Sequence, residues 1–182
     1  MPSAATTPAI HYRIDTAQTR ARLFQVTLTV AAPAASQELS LPVWIPGSYL
    51  VREFSKNLQS LQARQAGAAV PLAQLDKHRW LAQCRPGAPL VLSYEVAAYD
   101  NSVRTAWLDA ARGFFNATSL CLRVHGQEDA AHVLEVVQPP HLAAWSLATG
   151  LAPEQVNDAG FGRYRAADYD ELADCPVEMG KF

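Results

Sequence analysis

The sequence predicts an all-β fold, an antiparallel β-sandwich or saddle-shaped sheet with one or two short helices. Three observations carry that expectation. Apolar and polar residues alternate with period two over several stretches rich in Val, Thr and Tyr, the pattern of a strand with one buried face. Turn signals separate those stretches, with no long helical segment between them, which argues antiparallel pairing. Twelve prolines suit edge strands and loops better than helices.

In chain order, Ile10, Tyr12 and Ile14 share one face of a first strand, and His11, Arg13 and Asp15 the other. Phe24, Val26, Leu28 and Val30 alternate with Gln25, Thr27 and Thr29 in a second. Strands are expected over 37–44, 56–65 and 77–84. Leu90, Leu92, Tyr94, Val96 and Ala98 alternate with Val91, Ser93, Glu95, Ala97 and Tyr99. Leu120, Leu122 and Val124 alternate with Ser119, Cys121 and Arg123, and three more strands are expected over 132–138, 145–151 and 161–166. Breaks fall at Ala31-Ala32-Pro33, Ala66-Gly67, Arg85-Pro86-Gly87 and Gln138-Pro139-Pro140, all turn-forming combinations. Ser102–Arg112 reads as a short helix or a structured loop. Asp168 followed by Glu171 reads as the capping-box start of one short helix. At Pro46-Gly47 the chain turns sharply, with Pro46 pre-setting φ and Trp44 and Tyr49 packing across the turn.

The 182 residues suit one large domain, and 49% apolar content supports a real core. The formal net charge is −2 and the pI about 6.2, so no basic surplus speaks for nucleic acid. No apolar run approaches the ~18 residues that suggest a membrane helix. The first residues carry neither a positive nor an apolar signal region, which makes the cytoplasm the expected compartment. Cys84, Cys121 and Cys175 are odd in number and lack C-x-x-C spacing, so they read as small buried hydrophobes.

The chemistry-bearing motifs are few. No H-E-x-x-H is present, and His125 and His132, with Glu128 and Asp129 between them, sit in a strand-like context. Ser48 lacks the G-x-S-x-G elbow and reads as a turn residue. Gly160-Phe161-Gly162 begins like a phosphate loop but fails at the last glycine, so a hairpin crossing fits better. Asp168, Asp170, Glu171, Asp174 and Glu178 form the densest carboxylate run, readable as a helix start or as a cation or amine site. Arg104, Trp107, Asp109 and Arg112 lie on a stretch that could line a ligand cleft or pin a loop to the sheet. No self-contained catalytic constellation emerges.

Four islands occur in order. They are Leu41-Pro-Val-Trp-Ile-Pro-Gly-Ser-Tyr-Leu-Val-Arg-Glu-Phe-Ser, then Tyr94-Glu-Val-Ala-Ala-Tyr-Asp-Asn-Ser-Val-Arg-Thr-Ala-Trp-Leu-Asp, then Gly113-Phe-Phe-Asn-Ala-Thr-Ser-Leu-Cys-Leu-Arg-Val, and last Asp168-Tyr-Asp-Glu-Leu-Ala-Asp-Cys-Pro-Val-Glu-Met-Gly. Together they resemble the N-terminal domain of the glycyl aminopeptidase family of zinc metallopeptidases. That resemblance implies an N-terminal β domain, a thermolysin-like catalytic domain holding zinc through H-E-x-x-H and a later glutamate, and often a PDZ domain. This chain matches the first part only, so no zinc ligand or general base carries over to any residue here. Zinc is expected in the catalytic domain, where it supplies Lewis-acid activation of the scissile carbonyl.

The resemblance further implies a domain layout: a disordered tail over 1–8, the β domain over 9–173, and over 174–182 the start of a connection to the catalytic domain. The expected role is non-catalytic, packing on the catalytic domain of the same polypeptide and helping to shape a peptide-substrate cleft. Phe115, Asn116, Asp170, Glu171 and Glu178 are the expected cleft-facing residues; neither nucleic acid nor membrane is expected as a partner. Two other readings stand beside this one: a stand-alone β-sandwich module for peptide or carbohydrate, and a domain that chiefly mediates assembly.

Overall fold

The computed structural model describes residues 9–45 and 47–182. The expectations of a disordered tail over 1–8 and of a φ pre-set by Pro46 lie outside the described residues. The strands run β1 Ile10–Gln18, β2 Leu23–Val30, β3 Ser36–Ser40, β4 Leu58–Gln65, β5 Ala68–Ala69, β6 Leu72–Gln74, β7 Arg79–Gln83 and β8 Leu90–Ala97. They continue with β9 Ala106–Leu108, β10 Arg112–Phe115, β11 Arg123–Val124, β12 His132–Val137, β13 Ser146–Thr149, β14 Ala152–Val156, β15 Gly162–Ala166 and β16 Val177–Gly180. Two short helices, α1 Ala117–Leu120 and α2 Tyr169–Asp174, accompany two 3-10 turns at Phe54–Asn57 and Pro140–Leu142.

The strands form three sheets, and the fold is the predicted all-β sandwich. The largest has the order β14-β15-β12-β1-β2-β8-β4-β5; two four-stranded sheets have the orders β13-β16-β10-β9 and β11-β3-β7-β6. Pairing is antiparallel except between β1 and β12. Alternation decides the buried face. Ile10, Tyr12, Ile14, Phe24, Val26, Leu28, Leu92, Tyr94 and Val96 are buried, while His11, Arg13, Gln25, Thr27, Ser93 and Glu95 lie on the opposite, more open face. One continuous core joins this layer to Leu39, Trp80 and Ala82 of one small sheet and Leu108, Phe115, Leu147, Val177 and Met179 of the other.

The expected helix start is present. Asp168 caps α2 by accepting from the Glu171 backbone N–H at 2.8 Å, and the Glu171 carboxylate reaches back to the Ala167 N–H at 2.5 Å. The hairpin crossing at Gly160 is present too, since β14 and β15 pair across a turn closed by Gly160 N–H on the Asn157 carbonyl.

Two segments depart from expectation. Ser102–Arg112 is a turn followed by the β9–β10 hairpin, because Asp109 accepts from the N–H groups of Ala111 and Arg112 and so closes a tight turn. The strand expected over 119–124 survives only as Arg123–Val124; before it the chain makes the single turn of α1. That segment is buried on every side, so its alternation signals no sheet face. Val177–Gly180, in the stretch expected to begin a connection, is the inner strand between β13 and β10.

Candidate functional site

Two loops face one another across a cleft of about 650 Å³. One is the 43–54 loop, closed by the Arg52 N–H donating to the Val43 carbonyl at 2.6 Å. The other is the 99–105 loop. Leu50, Val51, Phe54, Tyr99 and Thr105 are among the lining residues. A second cleft of about 290 Å³ lies between the base of the first loop and the helices, lined by Pro42, Trp44, Thr118, Arg123, Tyr169 and Asp170 among others.

Both loops carry large apolar side chains open to solvent. Trp44, Tyr49, Leu50, Val51, Tyr99 and Val103 are all exposed, and Tyr49 is 100% so. Tyr49 therefore does not pack across the turn onto Trp44, as the sequence suggested; the turn projects it outward. Leu50, Val51 and Tyr99 line one cleft together, and this many exposed large apolar side chains on two facing loops is the kind of feature that marks an interaction surface. The 99–105 loop is stiffened from behind: Arg22 stacks between Trp107 at 4.5 Å and Tyr99 at 5.7 Å, and the Tyr99 hydroxyl donates to the Ala21 carbonyl.

Asn116 immediately precedes α1 and is tied to the 99–105 loop. Its backbone N–H donates to the Thr105 carbonyl at 3.1 Å, and its side-chain amide donates to the Val103 carbonyl at 2.5 Å. That bond uses the NH₂ end; the side-chain oxygen caps no helix N–H, and the residue as a whole is buried at 9% exposure. Asn116 then begins α1, whose Thr118 lines the second cleft. The Val103 bond thus fixes the amide plane, with one side-chain N–H committed and the oxygen at the opposite end from that bond.

The expected cleft residues fall in different places. Asn116 is buried and immediately precedes α1, whereas Asp170, on α2, is exposed and lines the second cleft. Glu171 is exposed and engaged as the α2 cap. Phe115 is 0% exposed and stacks edge-on against Phe24 in the core. Glu178 lies on β16, where Arg112 grips it with both arms. The apolar loop tips were not anticipated as a surface. The unbroken run Tyr49-Leu50-Val51 was the available signal, because an apolar run without strand alternation has no sheet face to bury it.

The rest of the chemistry is structural. Ser40 Oγ lies 2.9 Å from His125 Nε2, and His125 Nδ1 lies 3.6 Å from Glu128. The order resembles a Ser-His-acid relay. Ser40 is buried, however, and the His–Glu spacing is too long for an orienting hydrogen bond. The network pins β3 to the chain after β11. Burial pushes the Cys121 thiol far up, so it offers no thiolate. Among the described residues no group of three or more His, Cys, Asp or Glu side chains is placed to hold a metal ion. The described residues therefore do not fit a zinc site. No described helix is long and apolar enough to cross a membrane.

The Peptidase M61 N-terminal domain profile matches residues 11–181. A solved aminopeptidase N family protein from Idiomarina loihiensis is similar over 94% of this chain, at 43% identity and a TM-score of 0.90. This chain spans only 29% of that protein. An M1 zinc metallopeptidase from Deinococcus radiodurans shares the fold at 14% identity and a TM-score of 0.53, covering 94% of this chain and 40% of its own. Leukotriene A4 hydrolase from Saccharomyces cerevisiae does so at 10% identity and 0.53, covering 95% and 28%. No curated protein matches the chain. With residues 11–181 matched by the family model, this chain belongs to the Peptidase M61 N-terminal domain family.

Proposed function

We propose that this chain is the non-catalytic N-terminal domain of a zinc aminopeptidase of the glycyl type, and that it docks on the catalytic domain of the same polypeptide. The observation that carries this reading is the exposed apolar rim of Trp44, Tyr49, Leu50, Val51, Tyr99 and Val103, with Asn116 hydrogen-bonded to the second of its two loops through Val103 and Thr105. The rim is the surface that the catalytic domain covers. Once covered, Asn116 stands at the wall of the substrate cleft and its oxygen accepts from the substrate's terminal ammonium. Asp170, on the neighbouring cleft, adds negative charge to the same wall. Zinc and the general base belong to the catalytic domain; this chain contributes shape, an acceptor and water exclusion.

The test is association. The chain and the catalytic portion of its peptidase are produced as separate polypeptides and mixed, and residue-level hydrogen exchange is recorded on both. A one-to-one complex that protects 47–52 and 99–103 is the expected result. No association, or protection confined to the outer face of the large sheet, overturns the reading. Binding of peptide or carbohydrate by this chain alone would favour the stand-alone module instead.

A further inference from the structure

Three tyrosine hydroxyls converge on three consecutive backbone carbonyls. Tyr94 donates to Leu120 O at 2.7 Å, Tyr169 to Cys121 O at 2.8 Å, and Tyr12 to Leu122 O at 2.7 Å. The Tyr94 hydroxyl also accepts from the Leu122 N–H at 3.3 Å. The donors come from β8, α2 and β1, three elements distant in sequence. All three tyrosines and residues 113–122 are buried, so these carbonyls have no access to water. Outside a sheet, they depend on the tyrosines for satisfaction. His132 steadies two of the rings from one side: it stacks on Tyr12 at 6.0 Å and meets Tyr169 edge-on at 5.8 Å.

The clamped residues continue directly from Asn116. The Asn116 carbonyl accepts from the Ser119 N–H at 2.9 Å and the Ser119 hydroxyl at 2.7 Å, and Cys121 N–H donates to Ala117 O at 2.6 Å. From Asn116 to Leu122 the backbone is thus one hydrogen-bonded turn. Its first end is tied to the 103–105 loop and its last end to the tyrosines. On the side away from β11, a shift at 120–122 passes back along this turn to Asn116.

We propose that Tyr12, Tyr94 and Tyr169 are positioning residues that set the place and orientation of the Asn116 amide from the central strands of the large sheet. This rests on the reading of Asn116 as substrate-facing, and the experiment separates the two. Each tyrosine is replaced singly by Phe, which keeps the ring and deletes the donor. In this chain, amide exchange at Ser119 and Cys121 is expected to quicken about tenfold relative to amides of β1 and β2, since the lost bond is local. The Asn116 side-chain amide resonances are expected to shift. A uniform rise in exchange over all three sheets, with those resonances unmoved, means that the hydroxyls serve global stability only and overturns the proposal. Should one variant not fold, the other two carry the same comparison.

The second arm uses the whole peptidase. Each variant is expected to raise KM for peptide about five- to tenfold with little change in kcat, and to add nothing in an Asn116→Ala background. If local exchange and resonances move as expected but KM does not, the clamp stands and the substrate-facing reading of Asn116 fails. If KM rises equally with and without Asn116, the clamp does not act through it, and the proposal fails.

Discussion

Arg112 and Glu178 form a forked pair, with Nε on Oε1 at 3.0 Å and Nη2 on Oε2 at 2.9 Å. The third nitrogen, Nη1, reaches Asn101 Oδ1 at 3.0 Å. One guanidinium therefore ties β10 to β16 and to the 99–105 loop. The geometry is bidentate, but both side chains are about two-fifths exposed, so water and salt weaken the pair.

Replacing Glu178 by Ala is accordingly expected to cost about 0.5–1 kcal/mol. Urea unfolding at low and high salt measures it: the difference from the parent shrinks as salt rises. A loss well above that range would mean that Glu178 contributes through packing and not through the ion pair.

His132 makes stability depend on pH. Burial lowers its pKa below the usual 6.5, and the Ala130 carbonyl with the Asp168 and Glu128 charges only partly offsets that. The unfolded chain therefore takes up this proton at higher pH than the folded one. Stability is intact above about 6.5 and is lost as pH falls from there through the folded-state value. His11, also lowered by burial despite Glu135 beside it, adds a slope of the same sign. A His132→Phe variant keeps the ring stack, and its stability is expected to fall less steeply below that pH. An unchanged slope would assign the whole effect to His11 and the carboxylates.

Gly162 occupies a conformation that no other residue adopts easily. Its φ is +140°, and a Cβ there would stand 2.2 Å from the Gln155 carbonyl oxygen. Because that obstacle is backbone in the paired β14 strand, neither side can yield. Gly162→Ala is expected to cost about 3 kcal/mol or more, from strain and clash together. Gly126, at φ +81° with nothing near its Cβ position, is the control and should cost about 1 kcal/mol. Chemical denaturation of the two variants gives the comparison.

Much of the fold can be read from residue order. The alternations at Ile10-Tyr12-Ile14 and Phe24-Val26-Leu28 mark buried faces directly, and Asp168 with Glu171 announces α2. Local rules work there because the deciding contacts are local. They fail where distant partners decide. The parallel pairing of β1 with β12 joins strands more than a hundred residues apart. The alternation over Ser119–Val124 reads as a strand, yet tyrosines from three remote elements supply the hydrogen bonds that a neighbouring strand would have given. Asn116 is legible as a candidate through resemblance alone. What orients it, the Val103 carbonyl and the anchored turn behind it, exists only after folding. Phe115 ends β10 with its ring in the core, whereas the next residue, Asn116, spends its side chain on the Val103 carbonyl.

The loop tips give the clearest separation of stability from function. Tyr49 and Val51 touch little in this chain, being 100% and 77% exposed. Changing both to Ser is expected to alter its stability by no more than about 0.5 kcal/mol. In the whole peptidase the same change should weaken docking, seen as faster exchange at 99–103 and a lower melting temperature. Unaltered behaviour of the whole protein would remove the rim from the interface.

Asn116 itself allows a sharper experiment, because two substitutions predict opposite results. Asn116→Ala removes the acceptor and the tie to Val103. If the amide oxygen receives the substrate's terminal ammonium, that loss is expected to raise KM about tenfold or more while kcat changes less, the pattern of an interaction made in both ground and transition states. Asn116→Asp keeps an oxygen in place and adds charge, but gives up the donor to Val103. Its carboxylate still accepts from an ammonium, which Ala cannot do, so KM is expected to fall back towards the parent value for free-amine peptides. For peptides with an acetylated N-terminus neither variant should differ from the parent. A rise in KM of equal size for free and acetylated peptides in both variants would make Asn116 a fold residue of the 103–122 turn, and the ammonium would have to be read from the catalytic domain.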